Sequence, residues 1–374
     1  VDFNWNEEQK MLMDMVRKFF EKECPMTLVK KMMTEPEGQQ IDLWEKMAEL
    51  GLLGLLFEKR YGGGEAGFLE LAAFLEETGR AMAPGPFFSS MVMAGLVLAE
   101  TDNEALKAKL IPAVCSGEKI LTLAVGEEDD LWEARYIQTR AERAGDDYLV
   151  TGRKMFVRDA HLADPILVAA RAGDAEKAIT VLAVDSTSPG IKITPLRTIS
   201  GEKQCEVLFD RVKVPADQIV VQEDRGWAVI EKIRPRIIIA RCAQMIGGME
   251  RVLDMTIRYA AEREQFGVPI SSFQVIQHYC VDMLMDLEMS RYLTYEAAWR
   301  ANEGLPLDKE ASMAKALCSD AFIRIAEKSH QIHGGIGFTD EYDLHVYSKH
   351  AKGWELTLGN GFDHRAIVAR ELGL

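Results

Sequence analysis

Several short stretches of the chain carry residue types that could hold an anionic ligand. Arg263-Glu264-Gln265-Phe266-Gly267 is followed closely by Phe273-Gln274. Arg263 falls near the end of a helical run whose apolar residues Met249, Val252, Leu253 and Thr256 share one face. A guanidinium there can hold a pyrophosphate through two parallel hydrogen bonds; it can equally cap the helix dipole or stand in solvent. Gln331-Ile332-His333-Gly334-Gly335 offers two glycines where backbone can approach a ligand closely, or a plain helix stop at Gly334. Arg234 stands ahead of the same helical run, with Glu231 at i, i+3 as an ordinary ion-pair partner.

Other chemistries find less support. The six cysteines are scattered without a CxxC pair, and His330 and His333 have no third ligand at metal spacing. This pattern argues for a reducing compartment, core thiols and no zinc site. Lys+Arg 44 against Asp+Glu 59 leaves a net charge of −15, which repels nucleic acid and anionic membrane in the mean field. Val1-Asp2-Phe3-Asn4-Trp5-Asn6-Glu7-Glu8 has neither a basic n-region nor an apolar h-region. No apolar run approaches the roughly 18 to 20 residues that span a bilayer. A cytoplasmic protein is expected; a matrix protein without its transit peptide reads the same way.

The elements that must position these residues change character twice along the chain. From Glu7 to about Val114 the pattern is helical, with Met11, Met15, Val16, Phe19 and Phe20 on one broad face. Tyr61-Gly62-Gly63-Gly64 and Ala83-Pro84-Gly85-Pro86 break it. Short β-rich runs follow at Leu121 to Val125, Tyr148 to Thr151, Ile166 to Ala169, Ile179 to Ala183 and Val207 to Phe209. After Gly226 longer helices return, with Met245, Met249, Val252, Leu253 and Thr256 stacked in one and Ile276, Tyr279, Met283 and Leu287 in the next. The 18 methionines read as gap-fillers in helical cores. The expected architecture is α+β: an N-terminal helical domain over 1–118, a central β domain over 119–224 and a C-terminal helical bundle over 225–374.

The order helical, β, helical, together with these motifs, resembles the acyl-CoA dehydrogenases. The likeness runs from Leu50-Gly51-Leu52-Leu53-Gly54 and Tyr61-Gly62-Gly63 through the motifs above and Ala351-Lys352 to Val368-Ala369-Arg370-Glu371. It implies the acyl-CoA dehydrogenase fold with a C-terminal four-helix bundle, FAD as cofactor and an acyl-CoA as substrate. It further implies an electron-transfer flavoprotein or similar acceptor and a tetramer built from dimers. By resemblance Arg263, Gln265, Phe266 and Gln274, with Gln331, Gly334 and Gly335, contact the ADP part of an FAD held mainly by the neighbouring subunit. Gly152-Arg153-Lys154-Met155-Phe156-Val157 matches the strand against the flavin ring, with Phe156 where the family often has Trp. Arg234 lies one turn ahead of a family CoA-contacting Arg, whose own position falls on Ile238 by a gap-free count back from Gly247.

The chain departs from the family where the chemistry happens. Arg158 stands where a Thr usually bonds flavin N5. The loop that is typically Thr-Glu-Pro, a small-residue turn and Ser reads Gly126-Glu127-Glu128-Asp129-Asp130-Leu131-Trp132. Its acids should repel an anionic cofactor. Trp132 and Arg158 should partly fill the ring pocket, with Arg158 paired to an acid such as Glu127, Glu128 or Asp159. The family's catalytic Glu abstracts the α proton while hydride leaves Cβ for the flavin. Counted from Ala351-Lys352 to Arg365, that Glu falls on Leu358, and the alternative base position falls on Ile237. Glu355 and Asp363 lie near Leu358 but need a different backbone path to replace it. The favoured expectation is a subunit of a heteromeric acyl-CoA dehydrogenase that completes a homologous partner's site. The rivals are an active homomer with a non-standard base, and a flavin monooxygenase or non-catalytic binding protein on the same fold.

Overall fold

The structure is a computed structural model and describes residues 6–35, 41–128, 132–223 and 225–374. Helices α1 (Glu7–Glu23), α2 (Met26–Thr34), α3 (Ile41–Glu49), α4 (Phe68–Ala81), α5 (Gly95–Glu100) and α6 (Glu104–Cys115) come first. Strands β1 (Thr122–Ala124), β2 (Arg140–Ala144), β3 (Asp147–Arg158), β4 (Ile166–Arg171), β5 (Ile179–Val184), β6 (Ile191–Leu196), β7 (Gln204–Val214) and β8 (Ile219–Val221) follow. Then come α7 (Gly226–Glu262), β9 (Glu264–Gln265), β10 (Val268–Pro269), α8 (Gln274–Asn302), α9 (Asp308–His333), α10 (Leu344–Leu356) and α11 (Gly361–Glu371). The helical, β, helical order is as the sequence predicts. No helix among the described residues is long and apolar enough to cross a membrane.

The chain groups into two compact units. One combines Met32–Gly67 with Pro84–Ile237; the other combines the described residues up to Lys31 with Phe68–Ala83 and Ile238–Leu374. In the first unit the described residues form an eight-stranded sheet in the order β6-β7-β3-β2-β4-β5-β8, with β1 paired parallel to β4. Val150, Val168, Leu182, Val207 and Phe209 are fully or almost fully buried in its core. Each predicted β-rich run lies within or overlaps a strand. Strands β2, β6 and β8 lie outside those runs; β2 reads Arg-Ala-Glu-Arg-Ala, and only Ala141 is buried, so its hydropathy carries almost no strand signal. Its place is set by the hairpin to β3, whose two-residue turn has Gly145 at φ 70°.

In the second unit the predicted stripe of α7 is wholly buried: Met245, Met249, Val252, Leu253 and Thr256. In α8, Met283 and Leu287 are buried, whereas Ile276 and Tyr279 are only half covered. The broad face expected of α1 is narrower than its sequence implies. Val16 and Phe20 face the core, Phe19 is half-buried and Met11 is 71% exposed, because α1 packs on the single helix α4 along an i, i+4 line. Helices α8, α10 and α11 all pack on α9.

The closest helix approach in this unit is α4 on α7. A Cβ added to Gly247 would lie 1.8 Å from the backbone oxygen of Glu76, and one added to Gly79 would lie 1.9 Å from that of Gln244. Each glycine admits the other helix's backbone. Overpacking at such a contact commonly costs 1 to 3 kcal/mol and sometimes more. Gly247→Ala should therefore destabilise the chain by about 3 kcal/mol or more in urea denaturation. Gly335→Ala, whose Cβ meets nothing within 4 Å, should stay within about 0.5 kcal/mol of the parent.

Candidate functional site

The ADP-directed motifs lie together in the unit built on α7, α8 and α9. Helix α7 ends at Glu262, and β9 turns back on β10 with Gln265 opposite Val268. Phe266 at φ 58° and Gly267 at φ 78° make the two-residue turn, a pair of left-handed residues suited to a tight hairpin. The turn leaves the Phe266 ring 93% exposed, edge-on to Phe273 at 6.1 Å. Arg263, Gln265 and Gln274 are exposed as well.

Across from this hairpin, α9 ends at His333 and Gly334 continues at φ 64°. Gln331, Gly334 and Gly335 are exposed, and neither glycine has an atom within 4 Å of an added Cβ. Tyr259 joins the two motifs. Its ring stacks on His333 at 4.4 Å, its hydroxyl donates to the His333 carbonyl at 3.3 Å, and its own carbonyl accepts from the Arg263 amide at 2.8 Å. His333 is fixed on both ring nitrogens, Nδ1 by the Ser329 carbonyl at 2.7 Å and Nε2 by the Tyr342 hydroxyl at 3.0 Å. That pairing selects the neutral tautomer with Nδ1–H as donor, and burial holds the imidazole pKa below its usual value. Sequence reasoning missed Tyr259 and Tyr342, and it named His333 without the anchoring role that these two rings give it. None carries a binding pattern by itself, and only the helix ends bring them together.

The ring-directed residues lie in the sheet unit. Phe156 adopts φ 56° where β3 and β7 lose register between Lys154 and Val157, and the bulge half-exposes its ring. Buried Lys154 donates to the Val125 carbonyl at 2.8 Å and to Glu127 at 2.9 Å. Burial pushes its pKa down to about 8, against the pull of Glu127. Glu127 also accepts from the Gln138 and Thr139 amides, and Glu128 pairs with Arg153. The two described acids of this loop are thus each paired locally; Asp129, Asp130 and Leu131, on which the expected repulsion also rests, lie outside the described residues.

Arg158 pairs with Glu202 at 2.9 Å, with the two side chains only 7% and 20% exposed. The expected pairing with an acid is found, and Glu202 is an acid not among the examples named from sequence. Glu127 and Glu128 pair with Lys154 and Arg153, and Asp159 accepts from Ser89 at 2.6 Å. Register explains the choice: Arg158 sits opposite Gln204, which brings Glu202 alongside. The Arg158 guanidinium lies 5.9 Å from the Phe88 ring centroid. Trp132 is buried, and its carbonyl accepts from Arg234 Nη1 at 3.3 Å. Glu231 pairs with Lys177 instead of Arg234.

Leu358 lies in the turn between α10 and α11 at φ 61°, a left-handed conformation uncommon for leucine. The buried Lys315 ammonium donates to the carbonyls of Trp354, Glu355 and Gly359 at 3.1, 2.8 and 2.9 Å. His364 Nε2 bonds to the Leu358 carbonyl at 3.0 Å. The neighbouring acids are already committed, Glu355 to Lys352 at 2.5 Å and Asp363 to the Asn360 amide at 2.9 Å. Ile237 and Ile238 are buried and apolar. The two sets of residues therefore differ: Arg263, Gln265, Gln274 and Gln331 are exposed hydrogen-bond donors, whereas Arg158 is buried in an ion pair with Glu202.

Three domain families match nearly end to end: Acyl-CoA dehydrogenase, N-terminal domain over residues 6–118, middle domain over 122–212 and C-terminal domain over 224–373. The probable acyl-CoA dehydrogenase YngJ of Bacillus subtilis is 30% identical, with 100% of both chains covered. The butyryl-CoA dehydrogenase structure from Megasphaera elsdenii superposes with a TM-score of 0.93 at 25% identity, covering 100% of both chains. The ChsE4-ChsE5 complex from Mycobacterium tuberculosis contains a chain with a TM-score of 0.91 at 28% identity, covering 100% of this chain and 99% of that one.

The open ADP-directed face yields a direct test. A charge-assisted contact contributes on the order of 1.5 to 3 kcal/mol. Arg263→Ala should weaken FAD binding roughly ten- to a hundredfold in the assembly that binds it. Fluorescence titration with FAD measures this, and unchanged affinity would remove Arg263 from the site.

Proposed function

This chain belongs to the acyl-CoA dehydrogenase family of FAD-dependent oxidoreductases, and from that premise we propose that it works as one subunit of a heteromeric acyl-CoA dehydrogenase. The reaction is removal of hydrogens from Cα and Cβ of an acyl-CoA thioester. The observation that carries the heteromer reading is the contrast between the exposed ADP-directed residues and Arg158, which is buried against Glu202 at the position the resemblance assigns to a flavin-contacting hydroxyl.

FAD, when bound, supplies the hydride acceptor. Arg263 offers a planar fork of donors to a pyrophosphate, and Gln265, Gln274 and Gln331 stand exposed beside it as amide donors. Phe266 offers a free aromatic face for stacking, and Gly334 and Gly335 leave their backbone open to close approach. These residues serve a cofactor held mainly by a homologous partner subunit. Within this chain, Leu358 cannot take a proton, and the nearby acids Glu355 and Asp363 are tied into local hydrogen bonds. The partner supplies the base and the flavin-ring contacts. By resemblance Arg234 would contact the acyl-CoA, and Phe156 would stand against the flavin ring. A tetramer, transfer of electrons to an electron-transfer flavoprotein or similar acceptor, and a cytoplasmic setting complete the reading. The similar chain in the ChsE4-ChsE5 complex supports it, because that structure pairs two different proteins.

Flavin content and turnover of the purified chain, alone and coexpressed with a homologous partner subunit, test the reading. Alone, the chain should carry far less than one FAD and should not oxidise saturated acyl-CoA thioesters. With its partner, both properties should appear. Leu358→Glu should not activate the isolated chain, because the missing base is only half of its deficit. Full flavin occupancy and rapid turnover by the unmodified homomer would overturn the heteromer assignment and redirect the search to another acid.

A further inference from the structure

Three histidines surround the turn that carries two of the ADP-directed glycines. His330 and His333 lie in the last turn of α9, and His345 lies in the first turn of α10. Between the two helices runs the 3₁₀ turn Gly334–Phe338. Tyr342 joins two of the rings: its hydroxyl bonds His333 Nε2 at 3.0 Å, and its carbonyl accepts from His345 Nδ1 at 2.9 Å.

His330 holds the far end of the turn. Its ring stacks on Phe338 at 4.4 Å, and its Nε2 bonds the Ser348 hydroxyl at 3.0 Å. That hydroxyl donates to the His345 carbonyl at 3.1 Å, so it accepts from Nε2–H and leaves Nδ1 as the bare nitrogen of a neutral ring. Nδ1 is buried without a hydrogen-bond partner. Gly337 covers it, since a Cβ on that glycine would stand 3.0 Å from Nδ1. A proton on Nδ1 would point at Gly337 with nothing to receive it. A buried, charged donor left unmet is costly enough to displace a single turn.

The charges around the cluster do not relieve this cost. Among the described residues no carboxylate lies within ion-pair distance of His330 or His333. Asp340 stands 3.7 Å from His345 Nε2, and Asp343 pairs at 2.7 Å with Lys30 of α2, which also attracts Glu341. From α7, Tyr259 stacks on His333, and Arg258 and Glu262 face the Tyr342 phenol with opposite signs. The C-terminal end of α9 and the Phe338 ring would favour a cation. Burial outweighs them and holds His330 below the ordinary value of about 6.5, with His333 and His345 pushing the same way; burial lowers His333 likewise.

We propose that the Gly334–Phe338 turn is an acid-sensitive catch, closed while His330 is neutral and opened when Nδ1 takes a proton, and that only the closed turn holds the backbone of Gly334 and Gly335 in place for the cofactor. His330 takes its proton more readily in the open state. Closure is therefore fully present above the ordinary histidine value and is lost as pH falls below it. The catch is independent of the subunit reading; its effect on FAD rests on that reading.

The test is hydrogen exchange of the full-length chain, read by mass spectrometry and corrected for intrinsic rates, between about pH 7.5 and about pH 5. Protection of the amides of residues 334–342 should fall about tenfold or more on acidification, while the α7 core around Met249 keeps its protection. In His330→Gln, whose amide can still donate to Ser348, protection should not change with pH. His345→Gln should still show the transition. Constant protection in the unmodified chain would overturn the catch. So would equal loss in the α7 core, which marks global unfolding, or an undiminished transition in His330→Gln, which places the proton elsewhere. FAD titration of the assembly over the same range then reads the link to the cofactor. Affinity should weaken about tenfold on acidification with the unmodified chain and not with His330→Gln. Because exchange is read without FAD, a transition with no change in affinity would keep the catch and overturn only that link.

Discussion

Glu76 combines two demands at one point, and the helical unit is organised around them. Its backbone oxygen occupies the space a side chain on Gly247 would need, which sets the closeness of α4 to α7. Its buried carboxylate accepts from Arg291 at 2.9 Å and from the Tyr295 hydroxyl, which fixes α8 against the same crossing. Burial alone would push this carboxyl's pKa up strongly; Arg291 and the Tyr295 hydroxyl oppose that shift. A buried ion pair adds little net stability compared with apolar packing, but it penalises every alternative register in which one partner is left alone. The Arg17–Glu77 pair applies the same constraint between α1 and α4. Helix order follows from apolar stripes; their relative register follows from these charged contacts and from glycines that permit them.

What was legible in the sequence is what repeats along it. The α7 stripe shows its 3.6-residue period, and the sheet's apolar runs mark where β1, β3, β4, β5 and β7 lie, although β3 and β7 run several residues further. Non-repeating information stayed hidden. Strand β2 is charged, so pairing rather than hydropathy defines it. The partner of Arg158 could not be read from neighbouring acids, because Glu202 arrives through the register of β7 against β3. The alignment of motifs located Arg263 and Gly334, but not Tyr259, which bridges their helix ends through a stack and a hydrogen bond. Contacts between residues more than seventy positions apart leave no periodic trace.

Strand β3 illustrates how a buried charge is housed without disturbing its scaffold. Lys154 closes the loop through Val125 and Glu127, and β3 keeps its bulge at Phe156. Within that frame, the Arg158 guanidinium finds its own carboxylate in Glu202. A buried arginine deprived of its partner would be destabilising by about 3 to 5 kcal/mol, and the pair with Glu202 offsets that penalty. Removing either charge alone would leave the other unpaired.

The turn at Leu358 extends the same argument to the helical unit. Holding leucine at φ 61° is unfavourable, and the conformation persists only because surrounding contacts over-determine it. Those contacts come from Lys315 to three carbonyls, from His364 to the Leu358 carbonyl and from the capping box of Asn360 with Asp363. Every one of them engages backbone or a residue other than the side chain at 358. The turn joins α10 to α11, both packed on α9, so the bundle needs its shape whatever side chain it presents. The backbone path at this position is therefore set by Lys315, His364 and Asn360, and the identity of the side chain at 358 is left to whatever chemistry the turn serves.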